Sequence, residues 1–132
     1  MTIRDIDGMI TNCQTSSLNF PIKTSEASGV IVDSSIVICE DGGKCFIFDE
    51  ESRQWRFLIQ MNTPRDNGAA VAVQDGLWIT GGNVEGDTFL SSTELIFLDG
   101  KTKPGPRLPQ PRSGHCLLQY NGFSFLIGRS KF

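Results

Sequence analysis

Histidine is almost missing from this 132-residue sequence. His115 is the one copy, and Tyr120 is likewise the one tyrosine. A mononuclear copper centre draws on several imidazole and phenol ligands, so this chain cannot furnish one. Four cysteines are present, Cys13, Cys39, Cys45 and Cys116, but none lies in a CxxC, and with one histidine a zinc site has poor support. Basic charge is also short. Twelve Lys and Arg against fifteen Asp and Glu leave a net charge of −3, which offers no patch to displace counterions from a nucleic acid. No run of about 18 apolar residues occurs, so no membrane span is expected. The opening "MTIRDIDGMITN" lacks the apolar stretch of a signal peptide, and the expected location is cytoplasmic. No glycosylation acceptor exists, because Asn62-Thr63 is followed by Pro64. The acidic residues form no recognisable facing pair of the kind that glycoside hydrolysis needs, and many lie in turns such as Asp49-Glu50-Glu51. No cofactor is expected.

Glycine, by contrast, is frequent, at 14 residues, and short apolar runs are many. That combination favours strands and turns over long helices, within one domain for this length. The glycines recur in pattern. Gly42-Gly43 follows "IVICED", Gly81-Gly82 follows "LWIT", and Gly128, followed by Arg129, ends "SFLIG". Gly42 and Gly81 lie 39 residues apart, and Gly81 and Gly128 lie 47 apart. Both spacings fall near the period of a four-stranded propeller blade, about 40 to 50 residues. Flanking residues share the period. Arg65 stands 16 residues before Gly81, and Arg112 stands 16 before Gly128, whereas the corresponding position 26 is Glu26. After each full doublet an apolar strand ends in an aspartate, Asp49 in "KCFIFD" and Asp99 in "TELIFLD".

The strands read as "SGVIVD", "IVICEDGG", "KCFIFD" and "WRFL" in one unit. In the next they read as "GAAVAVQ", "GLWITGG", "STELIFLD" and "GPRLP", and a last partial unit has "SGHCLLQYN" and "GFSFLIG". Asp75-Gly76 and Asn121-Gly122 are the hairpin dipeptides. The continuous apolar runs predict strands buried on both faces, and small residues in "GAAVAV" suit an innermost strand near a crowded axis. The extra length of the second unit falls in a loop, 83–91. A helix over 44–63, the longest run free of Gly and Pro, is the competing local reading. The cysteines read most simply as small buried hydrophobes. Cys39 and Cys45, on neighbouring strands, are placed for a disulfide if the compartment is oxidising.

These residues resemble the kelch repeat, a β-propeller blade. The pattern matches Gly42, Gly43, Asp49 and Trp55 in one unit and Arg65, Gly81, Gly82 and Asp99 in the next, with Gly105 where a second tryptophan would fall. The third copy keeps Arg112, His115 and Gly128. The resemblance covers about 20–128, with units about 25–62, 63–110 and a partial one at 111–128. Residues 1–19 match weakly, as a remnant of a preceding blade, and 129–132 form a tail. The expected fold class is therefore all-β, with four-stranded antiparallel blades of an incomplete propeller. Propellers close with four to eight blades, so fewer than three leave blade faces bare. That leads to the expectation of a fragment of a longer propeller, with self-association through those faces as another outcome.

The resemblance implies a non-enzymatic protein-interaction module whose protein partner meets rim loops held by stiff blades. The alternative it carries is the substrate-recognition part of a ubiquitin-ligase adaptor. A galactose-oxidase-like enzyme is the least supported. Candidate contact residues are Arg65, Asp66 and Asn67 before one unit, Arg112, Ser113 and His115 before the next, and Asn83, Glu85, Asp87 and Phe89 in the long loop. Each has a plainer role: structural hydrogen bonds between blades for the two arginines, a bond to a neighbouring carbonyl for His115, packing for Trp55.

Overall fold

The computed structural model describes residues 27–85 and 87–128. The assignments made above to 1–19, 20–26 and 129–132 lie outside them. The described residues form twelve strands and contain no helix. Strands β1 (Ala27–Val32), β2 (Ser35–Glu40), β3 (Lys44–Asp49) and β4 (Gln54–Gln60) pair in that order as one antiparallel sheet. The second sheet contains β5 (Ala69–Val73), β6 (Gly76–Thr80), β9 (Thr93–Phe97) and β10 (Thr102–Pro104), again antiparallel and in order from first to fourth. Strands β11 (Cys116–Tyr120) and β12 (Phe123–Ile127) form a hairpin, and β7 (Asn83–Val84) with β8 (Thr88–Phe89) forms a smaller one inside the long loop. The fold is thus all-β, built on antiparallel four-stranded sheets.

Within 44–63 the chain forms β3 and β4 joined by a turn, as the strand reading expected, and no helix. "CFIF" and "QWRFLIQ" carry β-branched and aromatic side chains that pair across β3 and β4. Phe46 meets Phe57 edge-on at 5.8 Å, and Phe48 meets Trp55 at 5.2 Å. The fourth strand of the second sheet is "TKP", ahead of the expected "GPRLP". Asp99 explains the shift. Its Oδ1 accepts from the Lys101 amide and Gly100 takes a φ of 87°, so the chain reverses at once and Thr102 already faces Ile96. Pro104 and Pro106 then remove ladder donors, and pairing stops. Asp49 closes the matching turn of the first sheet, accepting from the Glu51 amide and the Ser52 hydroxyl. Gly105, at the spacing of the missing tryptophan, leaves the room that the Trp78 indole occupies.

Asn121 and Gly122 both adopt positive φ in the β11–β12 turn, as a two-residue hairpin loop demands. Gly76 does not turn. Val73 pairs with Gly76, so the turn is Gln74-Asp75, and Gly76 opens β6 directly beneath the Ile96 carbonyl, where any Cβ would collide with that oxygen.

The first strands of the three units lie side by side, with β5 between β1 and β11. Between the two four-stranded sheets, Val32, Val37, Cys39, Cys45 and Ile47 from the first meet Leu77, Ile79 and Ile96 from the second, and Val30, Ala70 and Ala72 pack against them. Each fully buried aliphatic side chain there contributes about 1.5–3 kcal/mol of transfer free energy. Burial on both faces does not hold throughout. Strand β3 is buried through Cys45–Phe48, but Ile31 on β1 is 69% exposed, and the β11–β12 hairpin shows one face to solvent. On β3 one face is covered by the second sheet, while on the other Phe46 and Phe48 lie against Phe57 and Trp55 of β4.

Cys39 and Cys45 are directly opposed on β2 and β3 and are joined as a disulfide. The reading of all the cysteines as unlinked buried hydrophobes is therefore corrected for this pair, and also for Cys116, which is exposed. Among the described residues no helix is long and apolar enough to cross a membrane.

Candidate functional site at the rim between the first strands

The segments leading into β5 and β11 carry most of the candidate contact residues, and the structure shows what holds them. Arg65 is only 5% exposed. Its Nη1 donates to the carbonyls of Gly81 (2.9 Å) and Ser92 (2.8 Å), and its Nη2 donates to Ser92 Oγ (3.1 Å). Glu94 Oε1 lies 3.9 Å from Nη2. Burial pulls the arginine's pKa down, and Glu94 opposes that shift. Arg112 makes the matching bond in its own unit, Nη1 to the Gly128 carbonyl at 3.1 Å. The recurrent 16-residue interval is thus a hydrogen bond from arginine to glycine carbonyl. Each of these side-chain bonds falls inside its own unit, so the expectation that the two arginine side chains link blades is corrected.

The glycine doublets sit at equivalent strand ends, each against the segment that leads onward. A Cβ on Gly43 would approach Pro64, and one on Gly81 would strike the Arg112 carbonyl. The backbone supplies further ties across this rim. Asp66 and Asn83 exchange amide-to-carbonyl bonds of 3.0 and 2.8 Å, the Gly82 amide donates to the Arg112 carbonyl (2.7 Å), and the Gly114 amide donates to the Asn67 carbonyl (2.9 Å). Ser113 Oγ donates to Asn83 Oδ1 at 2.6 Å. Burial, with Asp41 and Glu40 nearby, raises the pKa of Asp66.

His115 is buried. Its Nε2 lies 2.7 Å from Thr80 Oγ1, rather than against a carbonyl, and its Nδ1 has no hydrogen-bond partner. Burial first, and then the Arg112 charge, lower its pKa and favour neutral imidazole. Thr80 is fully buried, and the contact works as a tether between the second sheet and the segment that enters β11.

A cleft of about 340 Å³ opens where the three first strands begin. It is lined by Ala27 and Ser28 of β1, by Arg65, Asn67 and Gly68 ahead of β5, and by Gly114 and His115 ahead of β11. Three of the lining residues are equivalent. Ala27, Gly68 and His115 each stand five residues before the strand end that enters the hairpin turn, at Val32, Val73 and Tyr120. Ser28 Oγ also donates to the Gly68 carbonyl at 2.9 Å, bridging the first two units across the cleft.

Of the sequence candidates, then, Arg65, Asn67 and His115 converge on the cleft. Asp66, Arg112, Ser113 and Asn83 form its supporting frame. Glu85 and Asp87 are exposed at the tip of the β7–β8 hairpin, and Phe89, half-buried, pairs with Asn83. None of these three is among the residues that line the cleft. Ser28, Gly68, Gly114, Thr80 and Glu94 escaped the sequence reading. Gly68 could have been found by aligning hairpin turns instead of glycine doublets. Nothing in the sequence marks Glu94, whose role rests on Arg65, Asn62 and Thr102 meeting it in space. Among the described residues, no three metal-ligating side chains gather.

No protein-family model matches the chain. It is similar to spermatocyte protein spe-26 of Caenorhabditis elegans, with 28% identity over 83 residues that cover 62% of this chain and 14% of that protein. Its fold resembles that of YjhT, with a TM-score of 0.73 at 16% identity over 83% of this chain and 36% of that structure's chain. The chain therefore spans only a minor part of either.

Proposed function

We propose that this chain is a kelch-type β-propeller segment, part of a longer propeller or of an assembled one, and that it works as a non-enzymatic protein-interaction module. Its contact surface is the rim around the cleft. One observation carries the reading: three equivalent positions, Ala27, Gly68 and His115, surround a single opening, as successive blades around an axis would place them. The rim suits binding because its loops are held by backbone bonds and a buried arginine, so a partner meets them pre-ordered and the entropic cost of docking is small. The exposed tip of the β7–β8 hairpin, with Glu85 and Asp87, extends that rim outward. Catalysis is not part of the proposal: of the lining residues His115 is the one imidazole, and its Nε2 is engaged by the buried Thr80 hydroxyl.

The test is affinity capture with the immobilised chain, compared across variants and quantified by mass spectrometry. Asp66→Asn with Asn67→Gly alters the rim while keeping the positive φ at residue 67. Arg53→Ala alters the β3–β4 turn at the opposite rim. A partner lost with the first pair and kept with the second is the expected result. Partners indifferent to both would refute the rim as the contact surface.

A further inference from the structure

His115, the one histidine of the chain, is only 6% exposed. Its Nε2 sits 2.7 Å from Thr80 Oγ1, and that hydroxyl donates its one proton to the Ala69 carbonyl at 3.3 Å. The hydroxyl therefore accepts from the ring, which assigns the ring proton to Nε2 and leaves Nδ1 with a bare lone pair. No hydrogen-bond partner meets Nδ1, and it is shut off from solvent. The ring has little slack. A Cβ on Gly81 would stand 2.9 Å from its Cε1, and one on Gly128 would stand 3.3 Å from the His115 Cα.

A second proton has nowhere to bond. It would add to Nδ1 and create a buried cation whose N–H meets neither acceptor nor water. The surrounding charges oppose it as well. Arg112, on the same segment, repels the added charge and reinforces burial in lowering the ring's pKa. Arg65, on the segment ahead of β5, lines the same cleft and already has Glu94 beside it. Asp66 is the one carboxyl of that segment, and its own pKa is raised. Strands β1, β5, β6 and β12 bring no charged side chain, and β11 adds only the Cys116 thiol and the Tyr120 phenol. The β7–β8 hairpin, which meets Ser113 through Asn83, holds Glu85 and Asp87 at its exposed tip.

The repeat confines this arrangement to one junction. Ala27 and Gly68 hold the equivalent positions in the first two units and take up no proton. There the bridge is the bond from Ser28 Oγ to the Gly68 carbonyl. We propose that His115 is an acid-sensitive latch: its protonation drives the imidazole off Thr80 and frees the segment 112–116 from the second sheet, while the junction of the first two units stays shut. The proton comes from solvent, and no covalent bond changes. A released imidazole titrates near its ordinary pKa of about 6.5, and the docked ring titrates lower. The latch is thus closed above that pH and opens as pH falls below it, about tenfold per pH unit until the docked ring itself takes up a proton. Segment 112–116 helps to frame the cleft, so mild acid disorders the rim and weakens partner docking; this last step alone rests on the interaction reading above.

Hydrogen exchange of the full chain, read by mass spectrometry and corrected for the intrinsic pH dependence of amide exchange, tests the latch. From about pH 7.5 to about pH 5.5 the opening constant of peptides across 112–127 should rise about tenfold, with peptides of β1 and β2 unchanged. His115→Gln, neutral throughout, should abolish the rise, and Asp66→Asn should leave it in place. The imidazole C2–H, a single resonance in a chain with one histidine, should titrate below the ordinary value. Protection at 112–127 that ignores pH, an equal rise in β1 and β2, or a rise that Asp66→Asn removes would each overturn the proposal. So would an imidazole that titrates at its ordinary value, a result that stands even where His115→Gln does not fold. Affinity capture at the same two pH values separates the latch from the contact surface. A partner lost in acid while protection holds would refute the latch alone. Release of the segment with a partner retained equally at both pH values would refute the rim as contact surface and leave the latch standing.

Discussion

Arg65 and Arg112 hold the same place in the repeat, yet the structure predicts very different consequences for replacing each with alanine. Arg65 is buried and donates three hydrogen bonds, two to main-chain carbonyls and one to a hydroxyl. Bonds from a charged donor are worth about 1.5–3 kcal/mol each, though they do not add. Its loss also strips the buried Glu94 of its cation, and breaking a buried ion pair costs about 3–5 kcal/mol. Glu94 keeps its bonds from the Asn62 amide and the Thr102 hydroxyl, which moderates that cost. The expected loss for Arg65→Ala is therefore about 3–4 kcal/mol, a large share of the 5–15 kcal/mol typical of a domain. Arg112 makes one side-chain bond, in an exposed setting, and Arg112→Ala should cost about 1 kcal/mol or less. Urea denaturation followed by the fluorescence of Trp55 and Trp78 measures both, and a Glu94→Gln cycle isolates the coupling. Equal losses in the two variants, or a loss below about 1 kcal/mol for Arg65→Ala, would refute the argument that burial sets the value of this repeat position.

Three further outcomes follow from the same structure. Cys39→Ser, or reduction of the bridge, should lower stability by about 2 kcal/mol from loop closure alone, given the six-residue separation, read as the urea midpoint with and without dithiothreitol. His115 has a depressed pKa in the fold, so the unfolded chain binds more protons below an ordinary histidine pKa of about 6.5. Stability should thus be fully present above that pH and fall as pH drops through it, and His115→Gln should flatten the decline in a series of midpoints from neutral to mildly acidic pH. Gly76→Ala drives a methyl into the Ile96 carbonyl, and should cost about 1–3 kcal/mol in the same denaturation assay, whereas a turn glycine would tolerate the methyl sterically.

Much of the architecture was legible because it is local. Alternating and continuous apolar runs place strands, and the 16-residue arginine-to-glycine interval survives as a hydrogen bond whose length the hairpin dictates. The errors are equally local in origin. Gly76 reads as a turn residue after aspartate, but its reason for being glycine is the β9 backbone, which comes from some twenty residues downstream. The strands read over 44–63 hold against the competing helix, because aromatic pairing across strands outweighs the absence of breakers.

By itself the chain of residues determined an all-β protein of recurring units, the turns that separate them, and three of the residues at the cleft: Arg65, Asn67 and His115. These depend on side-chain alternation and backbone preference over a few positions, which any short segment carries within it. Only the tertiary structure decided that Glu94 and Thr80 support the rim, that Ser28 bridges to Gly68, that Cys39 and Cys45 join, and that Ile31 of the first sheet and one face of the last hairpin are exposed. Burial, pairing and exposure are set by which segments meet in space. A sheet's covered face and its bare one can carry the same kind of sequence.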